Sequence, residues 1–315
     1  MEKGKKEEKE KEEKVEKKSH FFIKFLMLII VIICSLYFYA KYVGVKGLVV
    51  KEYRINSEIL SENFDGIKIV HFSDILYNST FDLNDFKELV SNINKLKPDI
   101  IVYTGDLIYS KKISNSDKEK IIECLSSLNA SIGKYAIYGE NDYNYSEYEY
   151  VITKSDFKLL SNSYEEIYYK TNEPIYIVGL PSSDKEEVNL DESFKFYKEE
   201  DRKYIICLVH DGKTIKYIDD STYEVDLILG GHSLNGSIDV PYYGALFLDD
   251  LSYKYYSEHY EKGITNIYIS SGLNVSIFCG GNFFVSRWYW CHEYHAGFCY
   301  RAYQRDWIEK GYRGT

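Results

Sequence analysis

Five short polar stretches, each closing an apolar run, carry the residues able to do chemistry. They are His71-Phe72-Ser73-Asp74-Ile75-Leu76, Thr104-Gly105-Asp106, Gly139-Glu140-Asn141-Asp142, Val209-His210-Asp211 and Gly230-Gly231-His232-Ser233-Leu234-Asn235-Gly236. Together they offer carboxylate, amide and imidazole, and imidazole mixed with carboxylate suits divalent Mn, Fe or Zn. Two such cations about 3.5–4 Å apart, bridged by a carboxylate, serve the hydrolysis of phosphate esters. One polarises the phosphoryl oxygens and both acidify a bridging water. That chemistry needs a bridging Asp and a mixed His/Asp/Asn set around each ion.

The elements that must position these residues alternate. Tyr53-Arg54-Ile55 reads as an opening strand and Ile67–Phe72 as a short strand ending at Ser73-Asp74. Leu83–Leu96 has the spacing of an amphipathic helix, with Asp82 or Asn84 as its N-cap and Pro98 as its stop. Ile100–Tyr103 is a buried strand leading into Gly105-Asp106, Ser116–Leu128 a second helix, and Lys134–Tyr138 the strand before Gly139. A helix near Tyr145–Lys154, strands around Ile167-Tyr168 and Ile175–Val178, and a helix over Leu190–Glu200 follow. Tyr204–Val209, Val225–Leu229 and Ile267–Ile269 are further apolar runs. Polar residues at the C-terminal ends of buried strands are where open α/β sheets build sites. The pattern predicts an α/β fold of two mixed β-sheets sandwiched between helices.

The motif order resembles that of the calcineurin-like metallophosphoesterases: D-x-H, G-D, G-N-H-D/E, an isolated His, then G-H-x-H. The resemblance spans residues 52–278 and is nearest to the membrane-anchored bacterial branch of the family. It implies a four-layer α/β/β/α architecture and a divalent-metal hydrolase. The substitutions are informative. In the family the first ion is held by the D-x-H pair, the bridging Asp and the last His. Asp74 and Asp106 stand at two of those positions, but the two imidazoles are replaced by Leu76 and Leu234. The resemblance therefore implies that this ion is lost. The second ion corresponds to Asp106, Glu140, His210 and His232, with Glu in place of the family's Asn. Four oxygen and nitrogen ligands thus survive for one ion, with Mn, Zn or Fe the natural metals. The family's catalytic His corresponds to Asn141, which donates a hydrogen bond but is no general acid.

Each position also has a purely structural reading. Asp74 can hydrogen-bond a neighbouring loop, Asp106 can cap a helix, and His210 and His232 can be satisfied core histidines. His71, inside its strand, reads as structural, and His259 has no partner visible in the sequence.

The chain has 315 residues and a net charge of −10, which argues against a nucleic-acid surface because phosphate backbones demand clustered positive charge. Its six Cys fall at irregular spacings and suggest no disulfide framework. Residues 1–20 form a Lys/Glu-rich tail, too polar to bury a core. Residues 21–42 read as an uncleaved transmembrane anchor, since about 20 apolar residues match a hydrocarbon core of about 30 Å. Lys24 is placed to snorkel and Tyr37, Tyr39 and Tyr42 to sit at the opposite interface. Lysine asymmetry places the N-terminus in the cytoplasm and the domain outside.

Residues 279–315 change character, holding all three Trp, half of the Cys and no Leu beyond Gly280. Three readings apply: a metal cluster at Cys291, His292, His295 and Cys299, an aromatic membrane surface, or an end replaced by a change of reading frame. The last predicts a poorly packed tail and a missing closing strand, leaving a sheet edge exposed. The expectation for the whole is a membrane-anchored phosphoesterase with one ion and reduced power, acting on phosphate mono- or diesters. The alternative is an inactive relative that binds a phosphorylated lipid or a partner protein.

Overall fold

The computed structural model describes residues 22–35, 38, 50–79, 81–109, 112–232, 250, 254–255, 258–270 and 272, and the backbone of 239–240, 244–245 and 298–304. The chain divides into two units, Met1–Lys46 and Gly47–Thr315. In the first, residues 22–35 are helical and expose Phe22, Phe25, Leu28 and Val31. No helix among the described residues is long and apolar enough to cross a membrane. The charged tail lies outside the described residues.

The second unit opens with β1 (Lys51–Ser57), β2 (Lys68–Phe72), α1 (Leu83–Leu96), β3 (Ile100–Tyr103), α2 (Asn115–Ser126), β4 (Gly133–Ala136), α3 (Tyr148–Lys154) and β5 (Lys158–Leu159). It continues through β6 (Ser163–Ile167), β7 (Ile175–Gly179), α4 (Leu190–Ser193), β8 (Ile205–Leu208), α5 (Gly212–Asp219) and β9 (Leu227–Gly230). The short pair β10 (Asp239–Val240) and β11 (Gly244–Ala245), the hairpin β12 (His259–Lys262) and β13 (Thr265–Ile269), and β14 (Phe298–Gln304) complete it. One six-stranded sheet runs β1-β14-β2-β3-β4-β5 and the other β12-β13-β9-β8-β7-β6. Strands β2 to β5 are mutually parallel, as are β7, β8, β9 and β13; β6 and β12 are antiparallel edges of the second sheet, and β14 pairs antiparallel with β2 inside the first.

Period-two alternation sorts the side chains into layers. Val70, Phe72, Ile101 and Tyr103 face helices α1 to α3. Their neighbours Ile69, Ile100 and Val102 face the second sheet, meeting Ile177, Ile206, Leu208, Leu227 and Leu229. Val178, Ile205, Cys207 and Ile228 point the other way, onto Ile215 and Ile218 of α5. A one-residue slip would exchange these faces, so the register is strongly held. Helix α1 starts where Asp82 accepts from the main chain of Asn84 (2.6 Å) and Asp85 (3.1 Å), which settles the cap in favour of Asp82.

Every chemical motif follows the C-terminal end of a parallel strand, β2, β3 and β4 in one sheet and β8 and β9 in the other, so all five converge on one edge. Three expectations need correction. Only Leu190–Ser193 of the helix over Leu190–Glu200 forms, because Phe194 leaves the helical path to become fully buried and Phe196 stacks on Tyr176 at 3.7 Å. Helix α5, absent from the sequence reading, is capped by Asp211 through Thr214 N (2.8 Å). The tail does supply a strand. β14 lies between β1 and β2, parallel to the first and antiparallel to the second, so the first sheet is continuous there. The remainder of 279–315, with the proposed cysteine–histidine cluster, lies outside the described residues apart from the backbone of Cys299.

His71 is fully buried, its Nε2 2.9 Å from Thr104 Oγ1, as a structural histidine should be. Burial pushes its imidazole down to about 3, against about 6.5 in an unfolded chain. The unfolded state therefore binds more protons between these values, and the stability tied to neutral His71 is lost as pH falls below about 6.5. Urea unfolding of wild type and His71→Leu from about pH 7 to about 4 should show the wild type losing more, by up to about 1.4 kcal/mol per pH unit. Parallel curves would refute this account of His71.

Candidate functional site

The sequence turns sharply at each strand end, and the turns aim the site. Asp74 (φ 53°), Asp106 (φ 63°) and His232 (φ 63°) all adopt left-handed backbone conformations, which cost a non-glycine residue about 1–3 kcal/mol each. Hydrogen bonds between loops hold them there. Asp74 N donates to Gly105 O (2.9 Å), Leu76 N to Asp106 O (3.0 Å) and Gly231 N to His210 O (2.9 Å). Close approach explains two glycines. A Cβ on Gly139 would lie 2.2 Å from Asp106 Oδ1, and one on Gly231 would lie 2.8 Å from Asp74 Oδ2.

Asp142 organises two of the loops. Its buried carboxylate accepts from the main-chain N–H groups of Asp106 (2.7 Å), Leu107 (2.9 Å) and Gly139 (2.8 Å). Burial and the neighbouring Asp106 charge push its pKa up to about 7, against the pull of those three donors. Asp142 closes its motif without standing at a ligand position. The available signal was an acid immediately after the G-N-H-type stretch, with no ligand position left to fill.

Asp74, Asp106 and His210 are buried and bring one ligand atom each to within 4.8 Å of one another. His210 Nδ1 bonds the carbonyl of Thr104 at 2.7 Å, which leaves Nε2 facing Asp106 Oδ1 at 3.7 Å. That Nε2 is buried without a hydrogen-bond partner among the described residues. Burial alone would lower the His210 pKa, but the Asp106, Asp74 and Asp211 carboxylates and the Thr104 carbonyl outweigh it and raise it to about 9. Burial likewise raises the Asp74 carboxyl, with Asp106 adding to the effect and His210 and Ser73 opposing it. Asp74 Oδ2 accepts from Ser73 Oγ and from His232 N (3.1 Å). Two buried carboxylates and an imidazole whose inward nitrogen makes no hydrogen bond among the described residues form a donor set that fits one divalent cation.

The sequence-derived foursome of Asp106, Glu140, His210 and His232 is only partly gathered. Glu140 Oε1 stands 3.8 Å from His232 Nδ1, and the His210 and His232 rings are 5.4 Å apart at 70°. The tight group instead contains Asp74, because the reversed backbone at 74 and 106 turns both carboxylates toward His210. Burial raises the Glu140 carboxyl, with His232 opposing. Asn141 turns onto Asp106, its N donating to Oδ1 at 2.9 Å and its Nδ2 to Oδ2 at 2.5 Å. Leu76 is half-buried and its side chain carries no atom that can bind a metal, and Leu234 lies outside the described residues.

Residues 67–236 match the calcineurin-like phosphoesterase family. The chain belongs to that family. Calcineurin-like phosphoesterases use divalent metals, in keeping with the donor set of this one. It is 33% identical to the uncharacterized metallophosphoesterase YkuE of Bacillus subtilis, over 76% of this chain and 83% of that one. It shares 37% identity with the UDP-2,3-diacylglucosamine pyrophosphatase LpxG of Chlamydia muridarum, over 25% of this chain and 23% of that protein. A Danio rerio transmembrane protein with metallophosphoesterase domain is 24% identical over 60% of this chain and 45% of its own length. The crystal structure of TT1561 of Thermus thermophilus aligns over 66% of this chain and 91% of that one, with 11% identity and a TM-score of 0.42.

The Asp142 clamp generates a direct test. Asp142→Leu would leave three buried main-chain donors unsatisfied, at about 1–3 kcal/mol each. Urea denaturation should show a loss above about 3 kcal/mol, with Asp142→Asn less damaged because it keeps one acceptor oxygen. Equal stability of Asp142→Leu and wild type would remove Asp142 from this role.

Proposed function

We propose that this chain is a membrane-anchored phosphoesterase of reduced power, which cleaves phosphate mono- or diesters at a single-ion centre. The observation that carries the reading is the buried Asp74–Asp106–His210 group, whose His210 Nε2 has no hydrogen-bond partner among the described residues. These three residues would hold the ion, with Glu140 and His232 flanking it. When bound, the ion supplies Lewis acidity toward a phosphoryl oxygen. His210 is fixed for this by the Thr104 carbonyl, and Asn141 offers an amide to steady a phosphoryl oxygen. No imidazole stands at Asn141 to protonate the leaving oxygen, so a rate loss of about 10²–10⁴ follows from that position alone.

The anchor reading rests on the apolar stretch of residues 21–42 and its lysine asymmetry, which place the N-terminus in the cytoplasm and the domain outside. The substrate we propose is a phosphoester met at a membrane surface, either a phosphorylated lipid or a small phosphoester. The Chlamydia relative, by name a pyrophosphatase of an acylated nucleotide sugar, supports the lipid form. The domain's first strand also begins on the site's edge. Lys51 pairs with Glu258, whose carbonyl accepts from Ile269 N (3.0 Å), and Ile269 stands beside Gly230.

A second reading, a binding protein without turnover, is favoured by the bond between Asn141 and Asp106, which satisfies that carboxylate internally. The two readings part experimentally. Under the first, full-length protein in detergent retains about one Mn²⁺ or Zn²⁺ and turns over a phosphodiester slowly, and both are lost in His210→Ala. Ligand binding without turnover, even with excess Mn²⁺, selects the second. Two tightly held ions per chain would contradict both site assignments.

Restoring Leu76→His, Asn141→His and Leu234→His together should raise turnover by several orders of magnitude. A folded but inactive triple variant would count against the scaffold being competent.

A further inference from the structure

Asp106 is the carboxylate at the middle of the site, and both of its oxygens are covered by one residue. Asn141 N–H meets Oδ1 at 2.9 Å, and the Asn141 side-chain amide meets Oδ2 at 2.5 Å. A hydrogen bond to a carboxylate is roughly twice as strong as one between neutral groups, and the Asp106 end of this one is buried. Oδ1 is the oxygen that faces His210 Nε2, at 3.7 Å, so an ion there shares the negative charge of one carboxylate with the amide on Oδ2 and must compete with it.

Asp106 cannot evade the competition by turning away. Its main-chain N–H is held by Asp142 at 2.7 Å, and its Oδ1 lies so close to Gly139 that a single Cβ there would sit 2.2 Å from it. Its carbonyl is occupied by Leu76 N at 3.0 Å. The movable partner is Asn141, whose side chain is only half-buried at the start of a short 3-10 turn. We infer that Asn141 sets the ion affinity of this centre: its side-chain amide holds Asp106 in place of a cation and must swing aside for one to bind. The inference rests on reading Asp74, Asp106 and His210 as a metal centre, and adds to it a residue that opposes loading. Asn141 acts on the ion through Asp106 and is a positioning residue here.

The test is a titration of the metal-stripped full-length chain in detergent micelles with Mn²⁺. Free Mn²⁺ is read by electron paramagnetic resonance, and the shift in Tm with Mn²⁺ serves as a second readout. Asn141→Ala and the near-isosteric Asn141→Leu both delete the amide and keep the main-chain N–H on Oδ1. Both should bind Mn²⁺ about tenfold tighter than wild type or better, the scale expected when a competing charge-assisted hydrogen bond is removed. Their Tm should also rise further with Mn²⁺ than that of wild type. His210→Ala separates the two levels of the argument. If wild type binds Mn²⁺, His210→Ala does not, and the Asn141 variants bind no tighter than wild type, the inference is overturned and the metal centre stands. If wild type, the Asn141 variants and His210→Ala all fold and none binds, or all bind alike, the metal centre falls and the inference falls with it.

Discussion

One carboxylate, that of Asp142, ties together the two loops on which the site depends. It takes three main-chain N–H groups, from Asp106, Leu107 and Gly139, into a single buried acceptor. Those loops leave adjacent parallel strands, β3 and β4, and without a common partner each would present orphan donors to a dry interior. Because the clamp reaches Asp106 through its backbone, it fixes where the side chain starts. The left-handed conformation at Asp106 is affordable only inside such a frame, and the same argument extends to Asp74, tied to Gly105 O.

The electrostatics follow from that geometry. Two sheets contribute to one edge: the first brings Asp74 and Asp106, the second brings His210 and His232. Burial pushes the Asp74 carboxyl toward its neutral form, and the carboxylates around His210 outweigh the same burial and push its imidazole toward the charged one. Carboxylate oxygens and an imidazole nitrogen gathered in a dry place are the donor set a divalent ion takes, and Asn141 satisfies part of it from within the chain.

Much of this was legible in the amino-acid sequence. The strands before each motif, the α1 stop at Pro98 and the convergence of polar residues at strand ends all follow from alternation and turn chemistry. The Leu190–Glu200 helix was overextended because periodicity cannot see that Phe194 and Phe196 have a better partner in the aromatic cluster of β7 and its surroundings. Helix α5 is short, and its capping pair, Asp211 with Thr214, directly follows the strand-end His210, so its eight residues give periodicity little length in which to show. The place of β14 could not be read from composition, because a strand inserted between two others is specified by pairing far away in the chain. In the site, Asp74, Asp106 and His210 all stand in the motifs read from the sequence, but the join of Asp74 to His210 depends on backbone reversals that no residue type announces.

The Asp142 clamp has an evolutionary consequence. It grips only main-chain atoms at 106, 107 and 139, so it is indifferent to the side chains at most of the ligand positions. Leu76 illustrates the point: its N–H still reaches the Asp106 carbonyl, and the loop closes with a side chain that has no affinity for a cation. A lineage can therefore shed or exchange ligands one at a time without unfolding the mouth that displays them. Architecture and chemistry rest on different atoms here, the first on the main chain and the second on side chains.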